Sequence, residues 1–377
     1  MKKDSKTQLL DHSQAKVRLL GEYLKRYLNI IVNDRYTERI KIYDLFCGEG
    51  TYENLGEGSP LVIMRQVKDI HFINQAKLNK IPPIDCSFND IEKAKVEKVK
   101  QSIKDKSLYY PSFGEIEYTS NEYSLELSRL MEIIPKLRKQ KAFIFIDPYG
   151  YKHIRASDIK NLLAKGNSEV LLFLPTQFMY RFDSNGTPES LKDFIEEITS
   201  YKDWRENDSV WKFIEQLKDG FKNYLEDKFV DTFTIQKDPQ TVFCLFFFSS
   251  HIKGFEKMLE AKWEIDTEQG KGWNFTNNTP SLFVEQKTNP LEEKLYTFLE
   301  EVPRYNGELY EFTLRAGFLT KHINEIFYNW QNNNKVEVVT SNGQKARKGA
   351  FYIDYKHFKE DNKRAKFKLT TYGTIKY

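Results

Sequence analysis

The chain has 377 residues, 40% of them hydrophobic, too many for one small core and enough for a large domain plus a smaller one. No apolar run approaches the roughly 20 residues that cross a bilayer, and the opening MKKDSKTQLLDHSQAK lacks a signal-peptide core, so a soluble, cytoplasmic protein is expected. The formal charge of +4 is unevenly spread: residues 335–377 hold eleven Lys/Arg against four Asp/Glu, a basic tail suited to a polyanion such as DNA or RNA, or simply solvated.

In chain order, residues 14–32 place Val17, Leu20, Tyr23, Leu24, Tyr27, Leu28 and Ile31 at helical spacing. The strand-like KIYDLF follows, and then SPLVIMRQV, a helix with Ser59 as its expected N-cap and Pro60 in its first turn. The alternation continues through IDCSFND (84–90), a helix over 91–105, EIEYTS (115–120), a helix from Tyr123, AFIFID (142–147), a helix from about Ala156 and EVLLFL (169–174). That rhythm predicts a parallel sheet covered by helices. A helical, aromatic insertion at 176–229 precedes VDTFTIQ and VFCLFFFSS, whose short Asp238-Pro239 connection demands antiparallel pairing.

The expected architecture is α/β: a Rossmann-like sheet of the class I methyltransferase outline over residues 1–266, closed by an antiparallel hairpin. A linker is expected at 267–290, rich in Gly, Asn, Thr and Pro. Three helical patterns then lead to VEVVT, an Asn342-Gly343 turn and AFYIDY, which together predict a winged helix over 291–377. Its wing carries Lys345, Arg347 and Lys348, the expected nucleic-acid contacts, although a solvated turn would look the same.

Four strand ends carry candidate chemistry. The stretch YDLFCGEG runs from a strand into Gly48 and Gly50, a turn that lets backbone approach a nucleoside; it matches neither phosphate-loop signature. Asp90 is placed to accept from ribose hydroxyls or to cap the next helix, and Asn121 to meet an adenine edge or to end a turn. FIDPYG sets Asp147 after a buried apolar run, with Pro148 fixing the direction of Tyr149; it suits an exocyclic amine and a stacked base, or a β-turn. Cys47, Cys86 and Cys244 have no spacing for a disulfide framework or zinc, and Cys47 alone sits where a nucleophile is conceivable.

DLFCGEG, GEGSP (56–60), FIDPYG and MLEAKWEIDTEQGKGWNF (258–275), preceded by the helix ending YLKRYL, resemble in that order the motifs of the three-Cys-motif partner protein (TcmP) family, over about residues 14–350. The resemblance implies a class I fold binding S-adenosylmethionine and a partner protein with a radical-type three-cysteine motif. On it, Asp44, Phe46, Cys47, Gly48 and Gly50 would hold the methionyl part of the cofactor, with Asp90 on ribose and Asn121 near adenine. Asp-Pro-Tyr-Gly is also similar to the Asp-Pro-Phe-Gly of tRNA guanine-N2 methyltransferases. Methyl transfer to a base amine at adenine N6 or guanine N2 is thus implied, with Asp147, Pro148 and Tyr149 catalytic and no metal required. The competing reading is a non-catalytic scaffold for nucleic acid or the partner protein.

Overall fold

The computed structural model describes residues 11–148, 150, 154–182, 188–199, 209–275 and 289–370. Contacts divide the chain into two units, one of Met1–Asp266 with Lys271–Thr279 and one of Thr267–Gly270 with Pro280–Tyr377.

In the first unit α1 (Asp11–Ile31) precedes β1 (Arg39–Asp44), α2 (Ser59–Ala76), β2 (Ile84–Asn89), α3 (Lys93–Asp105), β3 (Ile116–Thr119), α4 (Tyr123–Ile133), β4 (Gln140–Ile146), α5 (Ala156–Leu163) and β5 (Ser168–Leu174). After α6 (Thr176–Arg181), α7 (Glu189–Glu196) and α8 (Val210–Leu225) come β6 (Phe229–Asp238), β7 (Thr241–Ser249), α9 (Ile252–Ile265) and β8 (Gly272–Asn274). The sheet order is β3-β2-β1-β4-β5-β7-β6-β8. Strands β1 to β5 are parallel, and β7 runs antiparallel to both β5 and β6. This is the Rossmann-like class I methyltransferase sheet with one more strand at its edge. Gly272–Asn274, within the stretch read as a linker, pair parallel with β6.

Ala142 to Ile146 are wholly buried, which explains why β4 reads as an unbroken apolar run: helices cover both faces of a parallel sheet. Helix α1 packs on α2 and α9, and its Tyr23 ring lies 5.5 Å from Phe143 and 4.9 Å from Phe247. The same tyrosine donates its hydroxyl to Glu169, a buried carboxyl at the start of β5 that also receives Ser249 Oγ at 2.8 Å. Gly254 leaves room for that carboxyl, since a Cβ there would collide with it.

Burial pushes the Glu169 carboxyl up to about 8, with the Ser249 hydrogen bond pulling the other way. Its folded value therefore lies above its ordinary value of 4.5, so between the two the folded protein holds a proton the unfolded chain lacks. Stability from this group is full at the acid end of that window and falls as pH rises through it, at up to about 1.4 kcal/mol per pH unit. A Glu169→Gln protein is expected to lose that slope in denaturant titrations between pH 5 and 8. An unchanged slope would refute the assignment.

In the second unit α10 (Asn289–Glu301), β9 (Arg304–Tyr305), α11 (Asn306–Arg315), α12 (Thr320–Asn332), β10 (Val336–Thr340), α13 (Tyr355–Lys359) and β11 (Ala365–Leu369) form a winged helix, with an antiparallel sheet ordered β10-β11-β9. One expectation is corrected. AFYIDY is not the return strand; β10 pairs with Ala365–Leu369. After Ala346 N donates to Val338 O the chain leaves the ladder, and Asp354 caps α13 by accepting from His357 N at 3.0 Å. An aspartate that caps a helix cannot also continue a strand. Lys345, Arg347 and Lys348 are exposed on the wing, and Lys348 Nζ stands 5.4 Å above the Tyr328 ring of α12.

Candidate active site

The turn after β1 is shaped by backbone rather than by side chains. Gly48 and Gly50 have φ of 60° and 74°, the left-handed region. A Cβ on Gly50 would also press to 3.1 Å from Val99 of α3. Cys47 N donates to Asn89 O at 2.8 Å, tying this turn to the end of β2.

Asp90 follows immediately. Its buried carboxylate accepts from Gly48 N at 3.2 Å and Glu92 N at 3.0 Å, so it braces the glycine turn against the entry to α3. The carboxylate facing the open space from this loop is Glu92, paired with Lys95 at 2.6 Å. Asn121 is likewise engaged, its N–H on Asn89 Oδ1 at 3.0 Å and its Nδ2 on Glu126 Oε2 at 3.1 Å.

Asp44 ends β1 fully buried, with Oδ2 lacking any partner. Burial raises its carboxyl to about 7, the Ser59 hydroxyl lowers it and the neighbouring charge of Asp147 raises it. Ser59 is the first helical residue of α2, whose N-cap is Gly58 with no side-chain cap hydrogen bond; this corrects the expected cap. Cys47 is buried, and its thiol is pushed up by desolvation and then by Asp44 and Asp90. A thiol held protonated in that way is no nucleophile.

A cavity of about 720 Å³ opens at this edge of the sheet. Phe46, Cys47, Gly48 and Gly50 line it from one side, and Asp147 and Pro148 from another. Asp44, Asp90 and Asn121 stand behind this lining, Lys345, Arg347 and Lys348 belong to the other unit, and Tyr149 lies outside the described residues.

Helix α1 supplies a further wall that the sequence reading did not anticipate. Lys16 forms an ion pair with Asp147 and sits 4.5 Å over the Phe173 ring. His12 stacks on Phe243 at 5.7 Å, and burial first, then Lys237 and Lys16, lower its imidazole to about 4. It is therefore neutral at pH 7. The available signal was slight: polar His12 and Lys16 lie four apart beside the apolar stripe of the first helix.

The loop from Thr51 to Glu57 forms a hairpin on the rim. Thr51 and Glu57 pair antiparallel, Tyr52 N donates to Gly56 O at 2.9 Å, and Leu55 N donates to Tyr52 O at 2.9 Å. Leu55 adopts φ of 62° at the tip, a conformation costing a non-glycine residue about 1–2 kcal/mol. Arg65 and Lys106 clamp the base of the hairpin through Glu57.

A family model described as a GMT-like wHTH domain matches residues 264–343. No curated protein matches the sequence significantly. Among solved structures, a protein described as an rRNA methylase from Clostridium thermocellum aligns at 10% identity over 63% of this chain and 98% of its own, with a TM-score of 0.27. The Bacillus cereus O-methyltransferase in complex with SAH gives 11% identity over 60% and 80%, TM-score 0.33. TomG, an O-methyltransferase from Streptomyces achromogenes in complex with SAM, gives 10% over 61% and 79%, TM-score 0.33. Similarity at this level says nothing of activity, and the fold assignment rests on the strand order. Among the described residues no helix is long and apolar enough to cross a membrane, and no cluster of His, Cys, Asp and Glu is placed to hold a metal.

Proposed function

We propose that the chain is an S-adenosylmethionine-dependent methyltransferase acting on an exocyclic amine of a nucleic-acid base, of the three-Cys-motif partner type. The observation that carries this reading is the meeting of the glycine turn and the Asp147-Pro148 pair across one cavity at the carboxyl edge of a methyltransferase sheet.

The cavity residues fit the cofactor in kind. The orphaned Asp44 Oδ2 lies behind the glycine turn, Lys16 offers a cation for a carboxylate, and Glu92 offers acceptors for ribose hydroxyls. When bound, S-adenosylmethionine supplies an electrophilic methyl group on a sulfonium. Asp147 would accept one hydrogen of the amine and Pro148 O the other, turning the nitrogen lone pair toward that methyl. To do so Asp147 must release Lys16, whose ammonium occupies the place of the amine. The exposed wing lysines and Arg347 supply phosphate contacts for a DNA or RNA substrate.

That same ion pair favours the second reading, a scaffold in which the carboxylate is permanently neutralised. Calorimetric titration with S-adenosylmethionine separates the two. Micromolar binding is expected, weakened about tenfold or more in Asp90→Ala, because the unpaired Gly48 N–H lets the turn relax. A folded protein that takes up no cofactor would leave only the scaffold.

A further inference from the structure

We propose that Leu55 is an apolar wedge that enters the base stack of a double-helical nucleic acid and fills the space vacated by a base drawn into the cavity. This deepens the base-methyltransferase reading and rests on it.

An isolated exposed leucine is ordinary on a protein surface. Leu78 shares its left-handed backbone and its exposure, with φ of 58° and 95% exposed, but stands away from the cavity; three observations together set Leu55 apart. First, its place in the turn is wrong for its chemistry. Tyr52–Gly56 close a hairpin with a three-residue loop, whose last position is left-handed and normally taken by glycine. Asn54 and Gly56, which tolerate that conformation, stand on either side, yet the leucine occupies it.

Second, no described residue covers the side chain. Leu55 is 88% exposed, while the hairpin beneath it is stiffly built: Gly58 N donates to Gly50 O at 2.8 Å, and Glu57 is held by Arg65 and Lys106. A rigid mount under an uncovered apolar side chain costs hydration and backbone strain, and neither is recovered within the chain.

Third, the hairpin stands at the rim of the cavity. Thr51, Tyr52 and Glu53, its ascending arm, line the same cavity as Asp147 and Pro148. Beside it α3 presents exposed Lys93, Lys98, Lys100 and Lys104, which outnumber its exposed Glu97 and Asp105, and Lys98 reaches Glu49 of the glycine turn at 3.0 Å. Exposed lysines beside an apolar tip suit a duplex, whose phosphates flank a stack of apolar base faces. Extrusion of a paired base leaves a gap in that stack, and an inserted aliphatic side chain keeps the gap from closing.

The test measures transfer of tritiated methyl groups from S-adenosylmethionine to bacterial genomic DNA and total RNA, each supplied native and denatured. Leu55→Asn removes the apolar tip while suiting the left-handed position, so folding is not endangered. It is expected to lower labelling of the native form about tenfold or more and that of the denatured form less than about twofold, with cofactor affinity unchanged. Leu55→Met is expected to restore labelling of the native form. Equal losses on both forms, or no loss on the native form, would overturn the wedge. So would a wild-type enzyme that labels only denatured nucleic acid, which leaves the base-methyltransferase reading standing. Wild-type protein that labels neither form overturns that reading and the wedge together.

Discussion

Replacing Asp147 with alanine is expected to lower the turnover number for methyl transfer by about 100- to 1,000-fold, with cofactor affinity within about twofold of wild type. The expectation comes from where the carboxylate stands. It faces the cavity at the end of a strand whose apolar residues are wholly buried, so its backbone is anchored in the core of the sheet. Among the described residues, only Lys16 engages it by an ion pair. Removing a donor or acceptor that acts on the reacting nitrogen costs turnover, whereas a group that merely steadies the cofactor shows its loss in affinity. Comparing turnover with calorimetric affinity in the same variant distinguishes the two. Unchanged turnover would remove Asp147 from the chemistry.

The largest effect on stability is expected far from the cavity, at Asp231 of β6. Its carboxylate is buried between Lys262 of α9 and Lys218 of α8, the second at 2.9 Å. Burial alone would raise its carboxyl; the two ammonium groups more than offset this and hold it well below the ordinary range. The charge it provides is thus present at neutral pH, and its contribution is lost as pH falls through that low folded value. Asp231→Ala leaves two ammonium groups facing each other in an apolar layer, one of them Lys262, whose own value burial lowers. A loss of about 3–5 kcal/mol is expected in chemical denaturation. Lys218→Met added to that variant is expected to recover a large part of it by removing the surplus charge. A loss below about 1 kcal/mol would mean that water reaches the cluster.

The layering of the first unit is legible because its physics is local. Apolar runs such as AFIFI must be buried on both faces, and the few residues around Asp238-Pro239 leave β6 and β7 no choice but to pair with each other. The glycine turn is visible for the same reason: positive φ at Gly48 and Gly50 is a property of those residues. What side chains do at the strand ends is another matter. Asp90 is equally compatible in sequence with ribose and with a helix start; in the structure Glu92 N nearby and Gly48 N, more than forty residues earlier, both direct its carboxylate to the backbone. Ser59 reads as a cap because serine is favoured there, but the helix starts one residue earlier, with Gly58 in the cap position and Ser59 in its first turn. Lys16 and Asp147 are 131 residues apart, and no periodicity in either segment announces the pairing. AFYIDY has the composition of a strand, yet the partner of β10 is Ala365–Leu369, farther along the chain.

The packing of α1 has a consequence for how the protein is made. Tyr23 emerges early, but its neighbours Phe143 and Phe247 follow only after a further 120 and 224 residues. At about 5–20 residues per second, the ribosome takes roughly ten seconds to most of a minute to deliver the last of them. Throughout that interval the apolar stripe of the first helix has no sheet to lie on, so the newborn chain carries a sticky segment that chaperones or slower translation must manage. The helix Asp11–Ile31 thus completes its packing only once the hairpin of β6 and β7 has been made.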